Sequence, residues 1–252
     1  MGWNLPTTAR AAVLAVATLL AACAGEGTNV PTPPSASVAA AGVAPPTVAD
    51  LLALDDVRRP VDPHYLELLN QAQRDGPAIT RERMIALRWA WMGSTDFNPI
   101  MATRLAQRAR PRAGDDCARA RQAAAAVLEI YWLDLRSHDV MATCAQRDAD
   151  APAAAVHGAA RDAIVAAMRA SGDGSAAERA MTVISVDEEY ALLEIIGARR
   201  TGVTLAERRG RKLDVMEVAG RQDDRRFTLW FDVSGLFEFY EHRRARPPLH
   251  RT

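Results

Sequence analysis

Apolar side chains recur at three- and four-residue steps through much of residues 62–170, which is the spacing of amphipathic helices. Asp62-Pro63 and Thr80 suit helix starts, whereas Gly76-Pro77 and Gly93 suit helix ends. The pattern therefore predicts a series of helices, over about residues 63–75, 81–93 and 100–109, then one from Asp115 or Asp116 to Leu135, one capped by Ser137, and one over 152–170.

The pattern changes after the Ser171–Gly174 turn. Residues 181–186 are rich in β-branched side chains and predict a strand. Ser185 to Glu188 also matches a capping box before an apolar run that stops at Gly197, so a strand through Tyr190 and a helix from Ser185 both stay open. Two alternating runs follow and predict a hairpin, and Ser234 suits the cap of a last amphipathic helix; the runs are Lys212–Val218 and Phe227–Val233.

The predicted fold class is therefore α+β. Helical hairpins, loosely similar to tetratricopeptide repeats, come first, and a small antiparallel β unit and a C-terminal helix follow them. The expected organisation is a helical part, a β-containing part packed on it and a basic tail, over 49–175, 176–242 and 243–252.

A short apolar run, Ala11–Leu19, precedes Leu20-Ala21-Ala22-Cys23 and follows the positive charge of Arg10. The run is too short to span a bilayer and resembles a bacterial lipoprotein signal peptide ending in a lipobox. That resemblance implies removal of residues 1–22, lipid on Cys23, and a membrane-anchored lipoprotein facing the periplasm. Ala24, rather than an aspartate, favours the outer membrane. The alternative is an ordinary signal peptide with Cys23 incidental.

Residues 23–48 are predicted to be the lipidated cysteine and a disordered tether. They are rich in Gly, Pro, Ser, Thr and Ala, and Glu26 is their only charge. Such a segment buries too little apolar surface to fold, and its prolines keep it extended.

Composition excludes some functions. The chain has 31 basic and 31 acidic residues and is 49% hydrophobic, so it can bury a core and carries no net attraction to nucleic acid. Nucleophile-elbow, Walker A, zinc-protease, EF-hand and dinucleotide motifs are absent from the sequence. We therefore expect no cofactor, no resident metal and no nucleic-acid partner.

With Cys23 lipidated, two cysteines remain, Cys117 and Cys144. An isolated pair in an oxidising compartment predicts a disulfide. Zinc held by these thiolates with His138 and His157 is the alternative, although the close ligand spacing of zinc sites is missing. The chain's other histidines are dispersed like these two, and each of the five is expected at a surface or a helix end; the others are His64, His242 and His250.

Several ordered pieces of the sequence resemble a bacterial family of exported proteins known as a domain of unknown function, family number 4919. The distinctive ones are the glycine-flanked aspartate turn Ser171–Gly174 and the Glu-Glu-Tyr segment in Val183–Tyr190, and Trp230–Val233 agrees with them. The resemblance runs from about Asp62 to Tyr240. It implies an exported α+β domain and supplies no activity.

Acidic residues near these motifs are the candidate catalytic groups. Asp173, Glu188, Glu189 and Asp214, with Asp187, can supply a paired acid and base or oxygen ligands for calcium. A structural role in caps and turns is the alternative, because neighbouring side chains on one element point apart. Basic pairs lie in what is predicted to be a solvated loop, with contacts to phosphates or carboxylates as the alternative; they are Arg199-Arg200, Arg208-Arg209 and Arg211-Lys212.

These observations favour a protein-interaction or cell-envelope maintenance module, with an envelope protein or peptide as partner, over an enzyme. The rival is a periplasmic hydrolase that uses the carboxylates near the Ser171–Gly174 turn and the Asp187–Tyr190 segment. An accessible cleft in which several of them converge favours the hydrolase. Carboxylates used in caps and arginine pairs favour the module.

Overall fold

The computed structural model describes residues 44–109 and 116–245, and these belong to one compact unit. The predicted signal peptide, Cys23, most of the tether and the tail beyond residue 245 lie outside the described residues. The fold is mixed α+β, as predicted, with a helical layer packed on a four-stranded sheet. None of the described helices is long and apolar enough to cross a membrane.

The described helices are α1 (Val48–Leu52), α2 (Pro63–Asp75), α3 (Arg81–Gly93), α4 (Pro99–Ala109), α5 (Cys117–Ile130), α6 (Leu135–Arg147), α7 (Ala151–Ser171), α8 (Val186–Ile195) and α9 (Ser234–Ala245). The strands are β1 (Met181–Thr182), β2 (Ala198–Arg208), β3 (Arg211–Gly220) and β4 (Arg226–Asp232). Single 3₁₀ turns span Gly76–Ala78 and Ala177–Arg179.

Side-chain caps place the helix starts where local chemistry predicts them. The Asp62 carboxylate accepts from the Tyr65 amide at 2.9 Å, and the Thr80 hydroxyl accepts from the Arg83 amide at 3.1 Å. Asp116 caps α5 in the same way. Each cap satisfies an amide that has no partner within its helix.

The predicted cap at Ser137 is wrong. Asp134 caps α6, because its carboxylate accepts from the Ser137 amide at 2.8 Å, and Ser137 is fully buried inside the helix. The preceding helix also ends earlier than predicted, at Ile130, because the backbone of Tyr131 is not helical. The apolar pattern continues across this break because both sides face the same core.

Helix α8 decides between the two predictions for residues 185–190, and helix α1 was not predicted. Ser185 caps α8, so the helix is right and the strand ends at Thr182. At the N-terminal end, Thr47 and Asp50 form a capping box for α1, and Leu51 is fully buried. The last residues of the predicted tether therefore fold with the domain, because one turn carrying a buried leucine docks on α4 and α5.

The sheet has the order β1-β4-β3-β2, with β1 parallel to β4 and the other neighbours antiparallel. Strand β2 contradicts the predicted solvated loop: Arg199, Arg200 and Arg208 are exposed strand residues, and Arg209 and Gly210 form the turn into β3. The pattern did not show this strand because β2 lies at the edge and most of its side chains face water.

Helices and sheet share one hydrophobic core. Trp91 lies near its centre, with ring centroids 5.1 Å from Tyr65, 5.7 Å from Tyr131 and 6.0 Å from Phe97. Met216 of β3 and Phe231 of β4 belong to the same core, so their face of the sheet is turned towards the helices.

Candidate functional site

The first turn of α8 brings three acids to the boundary between helices and sheet. Asp187, Glu188 and Glu189 follow the Ser185 cap, where the helix dipole favours negative charge. Glu188 and Glu189 are both buried, which is unusual for carboxylates unless they are paired. We refer to these three residues and Asp214 as the acid cluster.

Glu188 is used for structure. Both of its oxygens bind the guanidinium of Arg88 on α3. The same guanidinium donates to the Thr182 carbonyl at 2.9 Å, and the Ile184 amide donates to Glu188 at 3.0 Å. This bidentate pair ties α3, β1 and α8 together, and it leaves Glu188 without a free oxygen for chemistry.

Glu189 is the opposite case. Its side chain is 0% exposed, and neither carboxyl oxygen has a hydrogen-bond partner. Burial raises the pKa of Glu189 well above its usual value of 4.5, and the nearby charges of Asp214, Glu188 and Asp187 raise it further. One oxygen of Asp187 is also buried without a partner.

Asp214 links this buried acid to the surface. It lies on β3, directly opposite Leu205 of β2 and Phe231 of β4, and it is half-buried. Burial raises the pKa of Asp214 as well. Among the described residues, Asp187, Glu189 and Asp214 take part in no ion pair with an arginine or lysine.

Three of the four candidate catalytic residues therefore come together, and Asp187 joins them. Asp173 does not take part: it is exposed, accepts from the Ser175 hydroxyl and amide, and faces Arg179 at 3.4 Å. The Ser175 hydroxyl and then its amide lower the pKa of Asp173 below its usual value. Asp173 stabilises its own turn, as the structural alternative predicted.

The acid cluster lies apart from the pocket described next. A small pocket of about 30 Å³ touches Arg88 and Trp89, but no carboxylate of the cluster lines it. Within residues 44–109 and 116–245, no group of three or more acidic, histidine or cysteine side chains has the arrangement of a metal site. Glu189 is enclosed, whereas Asp187 and Asp214 are half-buried.

An exposed apolar strip lies beside the cluster. Val203 and Leu205 of β2 are 44% and 50% exposed, and they are directly opposite Met216 and Asp214. Residues directly opposite one another share a face of the sheet, so these side chains point to the helical side, beyond the area that the helices cover. We call Val203 and Leu205 the edge strip. The outer side of β2 pairs with no strand in the described part of the chain.

Two of the histidines contact each other. His138 is fully buried, and its Nδ1 lies 3.1 Å from Nδ1 of His157, while its Nε2 donates to the Trp132 carbonyl at 2.8 Å. Burial, followed by the influence of His157, lowers the pKa of His138 to about 3. The residues lie 19 apart on successive helices, so no local spacing indicated their contact.

The sulfurs of Cys117 and Cys144 lie at disulfide distance, 2.18 Å apart. The two sulfurs are thus bonded to each other and not to a metal, and the two histidines contact each other. The four residues of the zinc alternative therefore form two separate pairs. The sulfur bridge joins the first turn of α5 to α6, which packs against it.

A family model described as "Domain of unknown function (DUF4919)" matches residues 61–242. This range includes the acid cluster, the edge strip and both cysteines. No curated protein and no solved structure matches the chain.

Proposed function

The chain belongs to the family described as a domain of unknown function (DUF4919), and from that premise we propose an interaction module anchored in the cell envelope. In this proposal the folded part binds a polypeptide partner at the β2 edge of its sheet. Lipid on Cys23 holds it to a membrane facing the periplasm, in the outer membrane.

One observation carries the binding role: an open strand edge and exposed apolar side chains occur at the same place. Natural proteins usually protect long edge strands, because their free amides and carbonyls pair with other chains. Strand β2 has 11 residues, and two of its exposed side chains are the Val203 and Leu205 of the edge strip. A surface of this kind suits partner binding by strand addition.

The hydrolase remains the weaker candidate. Its acid and base would have to come from the acid cluster and Asp173. Glu188 is bound to Arg88, Glu189 is enclosed and Asp173 is held in its own turn. These carboxylates are used mostly in the way that favours the module.

The anchor is tested by metabolic labelling with a palmitate analogue and by mass spectrometry of the mature N-terminus. We expect label on the wild type and its loss, with release from the membrane fraction, in Cys23→Ser. The double variant Cys117→Ser, Cys144→Ser should keep the label and is the control. An unmodified Cys23 in membrane-bound protein would reject the anchor.

The binding surface is tested by placing a photoreactive amino acid at Leu205 in cells. Val61, which is 69% exposed and lies outside the sheet, is the matched control position. We expect a discrete crosslinked polypeptide from position 205 and none from position 61. The same products from both positions would show that β2 is not a specific interface.

A further inference from the structure

We propose that β2 and Asp214 form one binding site for an extended peptide segment that carries an arginine or lysine. This inference deepens the function proposed above and rests on it for the place of binding. It adds the chemistry of the partner. The partner contributes a strand to the sheet, and one basic side chain reaches the acid cluster.

The backbone provides the first contact. An extended segment beside β2 bonds to amides and carbonyls that face away from β3, as in other cases of strand addition. The irregular pairing between Arg200 and Gly202 interrupts the β3 side of the strand, and regular pairing resumes from Gly202 to Arg208. The regular half contains the edge strip, so we place the bound segment there.

Charge identifies the partner. Asp214 is half-buried, and behind it both Glu189 oxygens and one Asp187 oxygen are buried without a hydrogen bond. A buried carboxyl group without partners is costly, and a cation with N–H donors is the group that compensates it. The unpaired Glu189 therefore indicates a ligand, which the acidic residues alone would not.

Three cations of the β2–β3 hairpin already have partners. Lys212 binds Glu207 at 2.5 Å, Arg199 binds Asp224 at 2.6 Å, and Arg200 donates to the Tyr190 hydroxyl at 2.6 Å. These contacts lie on or beside the same hairpin. None of these three cations pairs with Asp214, and the ion pairs of the described residues include none to it.

The distances suit a long basic side chain. An added strand lies two strand spacings from β3, or about 10 Å. Leu205 of β2 lies between the added strand and Asp214, because it is directly opposite Asp214 on β3. Arginine and lysine rest their methylene stems on apolar surface and extend the charged group beyond it. The stem would cover Leu205 and the cation would meet Asp214, near Glu189.

The experiment uses the full mature protein in detergent and fluorescent peptides of about ten residues of alternating threonine and valine. One peptide has a central arginine, the second a central glutamine and the third a central glutamate. Fluorescence anisotropy should show binding of the arginine peptide, and affinity about tenfold or more weaker for the other two, because only arginine forms the charge-assisted contact.

Matched variants separate the two parts of the site. Asp214→Asn should weaken the arginine peptide about tenfold and leave the glutamine peptide unchanged. Leu205→Lys should abolish binding of both, because it places a charge on the strip and a competing cation beside Asp214. Asp162→Asn on α7 and Val61→Lys make the same chemical changes elsewhere and should leave both affinities unchanged.

Equal affinity for the arginine and glutamine peptides, or no effect of Asp214→Asn, would overturn the basic partner. The crosslink at Leu205 would still stand in that case, so the proposed function would survive. Failure of every peptide, together with a dimer that Leu205→Lys converts to a monomer in sedimentation, would overturn the inference in favour of a second copy of the chain.

Discussion

At the scale of single residues, two neighbouring glutamates have opposite environments. Glu188 and Arg88 form a buried bidentate pair, whereas Glu189 has no partner for either oxygen. The helix explains the difference, because successive side chains point about 100° apart. One therefore faces α3 and the other faces the Asp214 side of the cluster. Two adjacent glutamates in the sequence therefore have unrelated energetic roles.

Glu189→Gln should change how stability depends on pH. The folded pKa of Glu189 lies well above 4.5, so its contribution to stability is fully present below pH 4.5 and is lost as pH rises through the folded pKa. The variant lacks this loss. We expect its melting temperature relative to wild type to increase as pH rises above 4.5 and to level off above the folded pKa of Glu189, as followed by circular dichroism.

The surface variant Glu129→Gln is the control for this experiment and should show no such trend. The pKa of Asp214 is raised in the same direction, so the Glu189→Gln variant should keep part of the wild-type dependence of stability on pH. Parallel pH curves for wild type and Glu189→Gln would contradict the environment described for this carboxyl group.

At the scale of elements, local signals predicted the helices better than the strands. Caps at Asp62, Thr80 and Ser185 are formed by groups within a few residues of one another, so the sequence contains them directly. Strand β2 exists because β3 pairs with it, and it has few buried side chains of its own. Its contribution to the candidate site was therefore missed, although the sequence singled out Asp214, Glu188 and Glu189 as candidates.

Helices α5 and α6 are also joined covalently. Cys117 and Cys144 are 27 residues apart, so their bridge closes a loop of moderate length in the unfolded chain. On the chain-entropy account, the double variant Cys117→Ala, Cys144→Ala should lose about 3 to 4 kcal/mol of unfolding free energy. Urea denaturation measures this loss. Wild type treated with reductant should fall to a similar value, and reductant should not affect the variant.

At the scale of the whole molecule, helices and sheet depend on one core. The same hydrophobic cluster contains Leu51 of α1, Trp91 of α3, Phe231 of β4 and Leu236 of α9. An ion pair between Asp56 and Arg243 also joins the two ends of the described chain, at 2.7 Å. The helical and β-containing parts should therefore unfold together.

Leu236→Ala tests this shared core from its C-terminal end. Leu236 is almost fully buried, so truncation should cost about 2 to 5 kcal/mol. Hydrogen exchange followed by mass spectrometry should show faster exchange in α3 and in β3 by the same factor. Acceleration confined to the sheet would show that the β part opens independently.

The sequence by itself determined the α+β class, most helix boundaries and the pairing candidates Cys117 and Cys144, because caps, glycine stops and side-chain periods act over a few residues. Only the tertiary structure decided the edge position of β2, the contact of His138 with His157, and the convergence of Asp214 with Glu189. Those features join residues 19 to 25 positions apart or depend on which strand remains unpaired. No local sequence pattern indicates these features, because each depends on long-range packing, and a given segment is compatible with many packing partners.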